Sequence, residues 1–226
     1  MELPTQIMPP IMVAPQTLVM FGATKIGKST LLTQLPGCLI IDTELGTKYL
    51  SGLKVSVNSL AELHQLYTAL TAEGAPKYGY LAIDVIDKVA EWAEQQVCAE
   101  QQVAAIGDIP YGGGYSAVRE IVTNWVKAFQ NVSPHLIIVG HRKRTIIGNE
   151  SVEFSSSSLD LTGKLKNTIM ADADAIGYTY RDDETGKLMV SFKPTDEVEA
   201  GSRCDHLKGQ VIEFDWNYIY QLQNTK

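Results

Sequence analysis

Residues 22–30 read Gly22-Ala23-Thr24-Lys25-Ile26-Gly27-Lys28-Ser29-Thr30, directly after the apolar run Thr17 to Phe21. No other segment constrains the chain as strongly. A short buried strand must turn through a glycine-bearing loop and open a helix. The glycines let the backbone curl until successive N–H groups converge. The helix N-terminus adds partial positive charge, so the loop is built for an anion. In a G-x-x-x-x-G-K-S pattern that anion is a nucleotide phosphate chain. Lys28 reaches the β/γ-phosphates, Ser29 offers its hydroxyl to Mg²⁺, and Thr30 makes a lesser contact. The competing interpretation is an accidental Gly-rich turn before a helix.

A strand–loop–helix of this kind belongs to an α/β fold, and the rest of the chain supplies one. Cys38 to Ile41, Tyr80 to Ile83 and Leu136 to Gly140 are short and apolar throughout, as strands buried on both faces are. Helical patterns alternate with them. Ser59 and Glu62 form a capping box that opens a helix with Leu60, Leu63, Leu66, Tyr67 and Leu70 on one side. Further helices are expected over about 86–105 and 116–130, with a flexible loop at Pro110 to Tyr115 between them. The fold class is therefore α/β: a mostly parallel sheet with helices on both faces. Residues 174–220 carry β-type patterns and turn chemistry at 183–186, which predicts antiparallel additions near the C-terminus. One domain spans 1–226, with an extended proline-bearing arm over 1–16 and a polar, Ser-rich mobile loop region over 142–165.

Composition narrows the class further. The 226 residues are 45% hydrophobic and 20% charged, enough to bury a full core. No apolar run approaches the roughly 20 residues of a membrane span. The N-terminus has no basic segment followed by a long apolar core, so a cytoplasmic location is expected. Cys38, Cys98 and Cys204 lie far apart, outside metal-ligand spacing, and read as free thiols. The net charge of −7 argues mildly against a protein that coats nucleic acid, although local clusters decide such contacts.

The strand ends carry the remaining candidates. Asp84 follows the strand Tyr80 to Ile83, where a carboxylate holds Mg²⁺ through water; it also suits a helix N-cap. Asp87, in the next helical turn, reads as a surface acid favoured by the helix dipole. Asp42-Thr43-Glu44 follows the second strand. A carboxylate there can reach the γ-phosphate crevice and polarise an attacking water, or it can be an ordinary solvated turn. His141 ends the strand Leu136 to Gly140. It is either a sensor of the γ-phosphate or a packed strand-end histidine. Arg142, Lys143 and Arg144 suit phosphate contacts to nucleic acid or to a neighbouring subunit's nucleotide, or form a solvated basic turn. Tyr111 and Tyr115 either offer aromatic faces to bases or pack the loop onto the core.

With these elements in order, the chain resembles the RecA-like branch of P-loop ATPases. GATKIGKS follows strand one, IDTE strand two and AID a later strand, and a further strand ends in a polar sensor before a loop. The resemblance implies that Glu44 is the catalytic base. The sensor of recombinases is typically glutamine; here His141 stands in its place. Pro110 to Tyr115, His141 and Gly201-Ser202-Arg203 are similar to the pattern of the phage and prophage Sak-type single-strand annealing group, and the likeness covers about Thr17 to Gly209. What it implies is a Mg²⁺-dependent ATPase acting on single-stranded DNA in phage recombination, annealing or replication. It would work in the host cytoplasm, with a phage single-strand-binding protein as a possible partner. It further implies a homo-oligomer with ATP at subunit interfaces and Arg203 as the cation supplied in trans, Arg142 and Lys143 being the alternatives. Two other classes use the same loop: a small-molecule kinase, and a nucleotide-gated regulatory protein that hydrolyses slowly.

Overall fold

The structure, a computed structural model, describes residues 3, 5–149 and 152–222. The phosphate-loop segment is strand β1 (Thr17–Gly22) followed by helix α1 (Lys28–Thr33). Then come β2 (Cys38–Asp42), β3 (Leu53–Ser56), α2 (Leu60–Thr71), β4 (Tyr80–Asp84), α3 (Ile86–Gln101) and α4 (Gly113–Gln130). The second half runs β5 (His135–Asn149), β6 (Val152–Leu159), α5 (Gly163–Asp172), β7 (Ala175–Arg181), β8 (Leu188–Ser191), β9 (Gly201–Ser202), β10 (Val211–Glu213) and α6 (Trp216–Tyr220).

The sheet has the order β10-β8-β7-β1-β5-β4-β2-β3. From β3 to β7 every neighbouring pair is parallel. The additions β8 and β10 pair antiparallel, as does β9 on β7. With β5 inserted between β1 and β4, strands β2, β3, β4 and β5 all lie to one side of β1. Their carboxyl ends therefore open onto a common crevice beside the phosphate loop, where ligands of open α/β sheets bind.

Alternation along each strand builds two core layers. Val19 and Phe21 of β1 join Ile41, Leu81, Ile83 and Ile138 under α2, α3, α4 and α5. Leu18 and Met20 join Ile40, Ile137 and Val139 on the opposite face, under α1 and α6. The capping signal at α2 is realised: Ser59 accepts from the Glu62 N–H at 3.2 Å. The Glu62 carboxylate returns to the Asn58 N–H at 2.9 Å, one residue earlier than the simple motif.

Three expectations change. Residues 142–149 and 152–159 are not loop: β5 continues past the sheet to Asn149 and β6 (Val152–Leu159) pairs with it antiparallel, with Arg142 opposite Leu159. Ser157 also exchanges backbone hydrogen bonds with Glu197 and Glu199, so the serine run is a strand held on two sides. Composition signalled polarity there, but backbone pairing is blind to it. Residues 163–172 form α5, which buries Leu165, Ile169 and Met170. The β-like pattern near the C-terminus stops at Glu213, because Asp215 caps α6 by accepting from the Asn217 N–H.

Candidate active site

The loop between β1 and α1 has the backbone its sequence demands. Lys25 and Gly27 take positive φ, 61° and 114°. Gly22 is fixed by its neighbour strand as well: a Cβ there would lie 2.4 Å from the Thr179 carbonyl oxygen of β7. Lys28 is buried. Its ammonium donates to the carbonyls of Gly22 at 3.1 Å and Ala23 at 2.8 Å, so it lies folded back on the loop. Burial pushes its pKa down, and Asp84, Asp87 and Glu44 pull it up. Of the three, Asp84 and Glu44 line the same cleft as the lysine.

Asp84, at the end of β4, lies opposite Asp42 in register and is 5% exposed. Burial raises its pKa, while the nearby Ser29 hydroxyl favours the carboxylate. A buried acid beside a hydroxyl at the phosphate loop fits Mg²⁺, which takes few protein ligands and keeps phosphate and water oxygens. Among the described residues no group of three or more His, Cys, Asp or Glu side chains is placed to hold a metal ion.

Asp42 has a role the sequence did not reveal. Its buried carboxylate accepts from the N–H groups of Glu44 (3.2 Å), Gly46 (3.1 Å) and Thr47 (2.9 Å) and from the Thr47 hydroxyl. Thr43 ties the same turn to β4: its hydroxyl accepts from the Val85 N–H at 2.6 Å and donates to the Val85 carbonyl at 2.9 Å. Glu44 therefore stands on a turn pinned at both ends, with its side chain 37% exposed toward the crevice. A satisfied buried acid of this kind has no sequence signature beyond Asp followed by small and hydroxyl residues.

His141 pairs with Gly22 across β5 and β1, beside the start of the phosphate loop. Its ring Nδ1 and its backbone N–H both bond the Asp87 carboxylate, and its Nε2 lies 3.7 Å from Glu44. The Asp87 contact raises the pKa of the imidazole. Asp87 is thus a partner of His141, not the solvated helix-dipole acid the sequence suggested. Gly140 makes this possible, since a Cβ there would come within 2.9 Å of the Asp87 Oδ1. A cleft of about 760 Å³ joins Thr24, Lys28, Ser29, Glu44, Asp84 and His141 and extends to Trp92.

The AAA domain family (AAA_24) matches residues 14–204, most of the chain. The chain belongs to this AAA domain family. No curated protein matches. Among solved structures, one described as the crystal structure of the RadB recombinase is 12% identical. The alignment covers 92% of this chain and 90% of that one, with a TM-score of 0.49. The phosphate loop after β1 and β5 inserted between β1 and β4 give this AAA domain a P-loop nucleotide-binding core.

Other predicted residues of the AAA domain fall outside the crevice. Along β5 side chains alternate, so Arg142 and Arg144 share one face and Lys143 takes the other. Arg142 donates to the Tyr178 hydroxyl at 2.9 Å, and Lys143 pairs with Asp160 at 3.6 Å. The basic run is therefore divided, not a single mobile patch. Tyr111 is fully exposed and Tyr115 about half so, which overturns loop-to-core packing for Tyr111. Both line a second cavity, of about 620 Å³, with Arg119 and Lys164.

Arg203 is not brought to the phosphate loop of its own chain. It bonds the Ala171 carbonyl and approaches Asp174 at 3.5 Å, not the sequence neighbour Asp205, which pairs with Lys208. Asp174 also accepts from the Gln16 and Thr17 N–H groups, at the end of β1 opposite Gly22. Arg203 thus ties the end of α5 to the amino-terminal end of β1 and β7, opposite the phosphate loop. Arg203→Ala is expected to lower stability by less than about 1 kcal/mol, as for exposed pairs. It should leave ATP turnover at the wild-type rate across protein concentrations. Turnover that collapses in a folded Arg203→Ala protein would instead return Arg203 to a role in trans.

A cation that sequence reasoning missed does reach the loop. Arg181, the last residue of β7, donates to the Ile26 carbonyl at 3.4 Å and to the Gly186 carbonyl at 2.9 Å. Only the pairing of β7 with β1 brings it there, and nothing in the sequence between 22 and 181 signals that pairing.

Proposed function

We propose that this AAA domain hydrolyses ATP with Mg²⁺ and couples that hydrolysis to single-stranded DNA. The observation that carries the reading is the convergence of Lys28, Ser29, Asp84, Glu44 and His141 on one crevice. The loop N–H groups of residues 23–30 and Lys28 hold the β- and γ-phosphates. Ser29 and Asp84 would hold Mg²⁺, whose charge would support the phosphate oxygens when it is bound. Glu44 accepts a proton from water as the water oxygen attacks the γ-phosphorus. The bond from that phosphorus to the bridging oxygen breaks, and ADP departs. His141, whose charged form Asp87 favours, and Lys28 stabilise the negative charge on the transferring group.

The DNA reading rests on Tyr111, Tyr115, Arg119 and Lys164. Exposed aromatic rings beside cations are what a flexible single strand recognises, bases stacking while phosphates are neutralised. The β5–β6 arm supports the coupling, since it is continuous with His141 and its Leu159 packs against Gly140. The similarity to phage Sak-type annealing proteins favours a role in phage recombination. The exposed apolar residues of the N-terminal arm, Ile7 and Ile11, favour assembly with further copies.

ATPase assays with and without single-stranded DNA, paired with a salt titration of DNA binding, test the reading. Each base–aromatic stack contributes on the order of 1–3 kcal/mol. Tyr111→Ala with Arg119→Glu is therefore expected to weaken DNA binding at least tenfold and flatten its salt dependence, while basal turnover stays unchanged. Unaltered DNA affinity would move the DNA surface elsewhere. Phosphorylation of a nucleoside or metabolite, with no DNA stimulation, would favour a kinase.

A further inference from the structure

The crevice has a polarity. Glu44, Asp84 and His141, which mark the γ-phosphate end, follow or belong to β2, β4 and β5, all on one side of β1. A triphosphate seated in the loop with its γ-phosphate on that side directs its nucleoside toward the other, where β7 and the β7–β8 turn flank the loop. Arg181 stands at that flank. A Cβ built on Gly27 would lie 3.8 Å from its guanidinium and 3.9 Å from Leu188.

The guanidinium is exposed but held. Its two acceptors, the Ile26 and Gly186 carbonyls, engage it through N–H groups, which lie in the guanidinium plane. Hydrogen bonds at the edge leave the two π faces uncommitted. Guanidinium planes stack on aromatic rings, and a held plane loses little entropy when it does so.

We propose that the Arg181 guanidinium forms one wall of a nucleoside subsite, stacking face-on against the base of a bound nucleoside triphosphate. The proposal rests on the nucleotide-binding reading above and adds to it the residue that distinguishes a nucleotide from a bare polyphosphate. Lys28 and the loop N–H groups engage phosphates alone, so they serve ATP and inorganic tripolyphosphate alike. Arg181 serves only a ligand that carries a base.

The test is equilibrium binding of ATP and of inorganic tripolyphosphate, each with Mg²⁺, to wild type, Arg181→Ala, Arg181→Gln and Lys28→Ala. Wild type should prefer ATP. Arg181→Ala should lose about tenfold in ATP affinity and nothing for tripolyphosphate, the scale of one stacked cation. Arg181→Gln keeps a donor for the Ile26 carbonyl but lacks the charged plane, so it should share the ATP-specific loss and serves if the alanine variant fails to fold. Lys28→Ala should weaken both ligands. Equal losses for both ligands in the Arg181 variants would show that the residue only props the loop and overturn the proposal. So would unchanged ATP affinity. Wild type that binds neither ligand would instead remove the nucleotide site itself.

Discussion

Lys28→Ala is expected to abolish measurable ATP hydrolysis and to weaken ATP binding by roughly 10²-fold, the scale of one or two charge-assisted hydrogen bonds. The argument is one of position and charge. Lys28 is the cation that the helix start aims into the loop, and it lies among Asp84, Asp87 and Glu44. Without a ligand its ammonium satisfies two loop carbonyls. Phosphate oxygens carry full negative charge and replace those carbonyls when the loop fills. Burial lowers the lysine's pKa, so removing the side chain also lifts a desolvation cost, and the variant should fold. Titration with ATP and release of inorganic phosphate check the two halves of the prediction separately. A folded Lys28→Ala protein that turns over ATP at nearly the wild-type rate would sink the assignment of the loop.

The parallel core was legible in the sequence because its determinants are local. Apolar runs such as Cys38 to Ile41 and Leu136 to Gly140 announce strands buried on both faces, and residues 22–30 announce the loop. Strand β3 was not legible, since only Val55 of Leu53–Ser56 is even half-buried and an edge strand needs no apolar run. The β5–β6 arm was hidden for a related reason: its order comes from ladder hydrogen bonds and from the 195–199 segment, which composition does not encode. In the crevice, Asp84 and His141 directly follow apolar runs and Glu44 stands two residues further on from one, so all three could be placed at strand ends. Asp87 was misjudged because its partner is 54 residues away in sequence and reachable only through the absence of a side chain at Gly140. Arg181 was missed, and the place of Arg203 within its own chain was not legible, for the same reason. The pairing of β7 with β1 decides that the first meets the phosphate loop and the second lies at the opposite end of the same two strands.

Glu44→Gln is expected to leave ATP binding intact and lower hydrolysis by about 10²- to 10⁴-fold, the usual contribution of a positioned general base. Glutamine keeps the shape of the side chain, and the Asp42 and Thr43 contacts that hold the turn are made by other groups. Asp87→Asn reaches the same chemistry indirectly. The groups that face His141 are Asp87 from α3, Glu44 after β2 and Lys28 from α1; the two acids raise its pKa and the lysine lowers it. A raised pKa means that the imidazolium, and the stabilisation it gives, is complete below the ordinary histidine value of about 6.5. It is lost as pH rises through the higher value of the folded protein. Asparagine removes the larger of the raising contacts, so the loss should begin at lower pH. If the charged ring stabilises the transferring phosphoryl group, the alkaline limb of the kcat profile in Asp87→Asn should move toward neutrality while ATP affinity changes little. Glu44→Gln should depress the whole profile by comparison, because no pH restores its base. Profiles of wild type and Asp87→Asn that superimpose would mean that His141 acts by shape alone. A Glu44→Gln protein with wild-type turnover would require that the base lie outside the β2 turn.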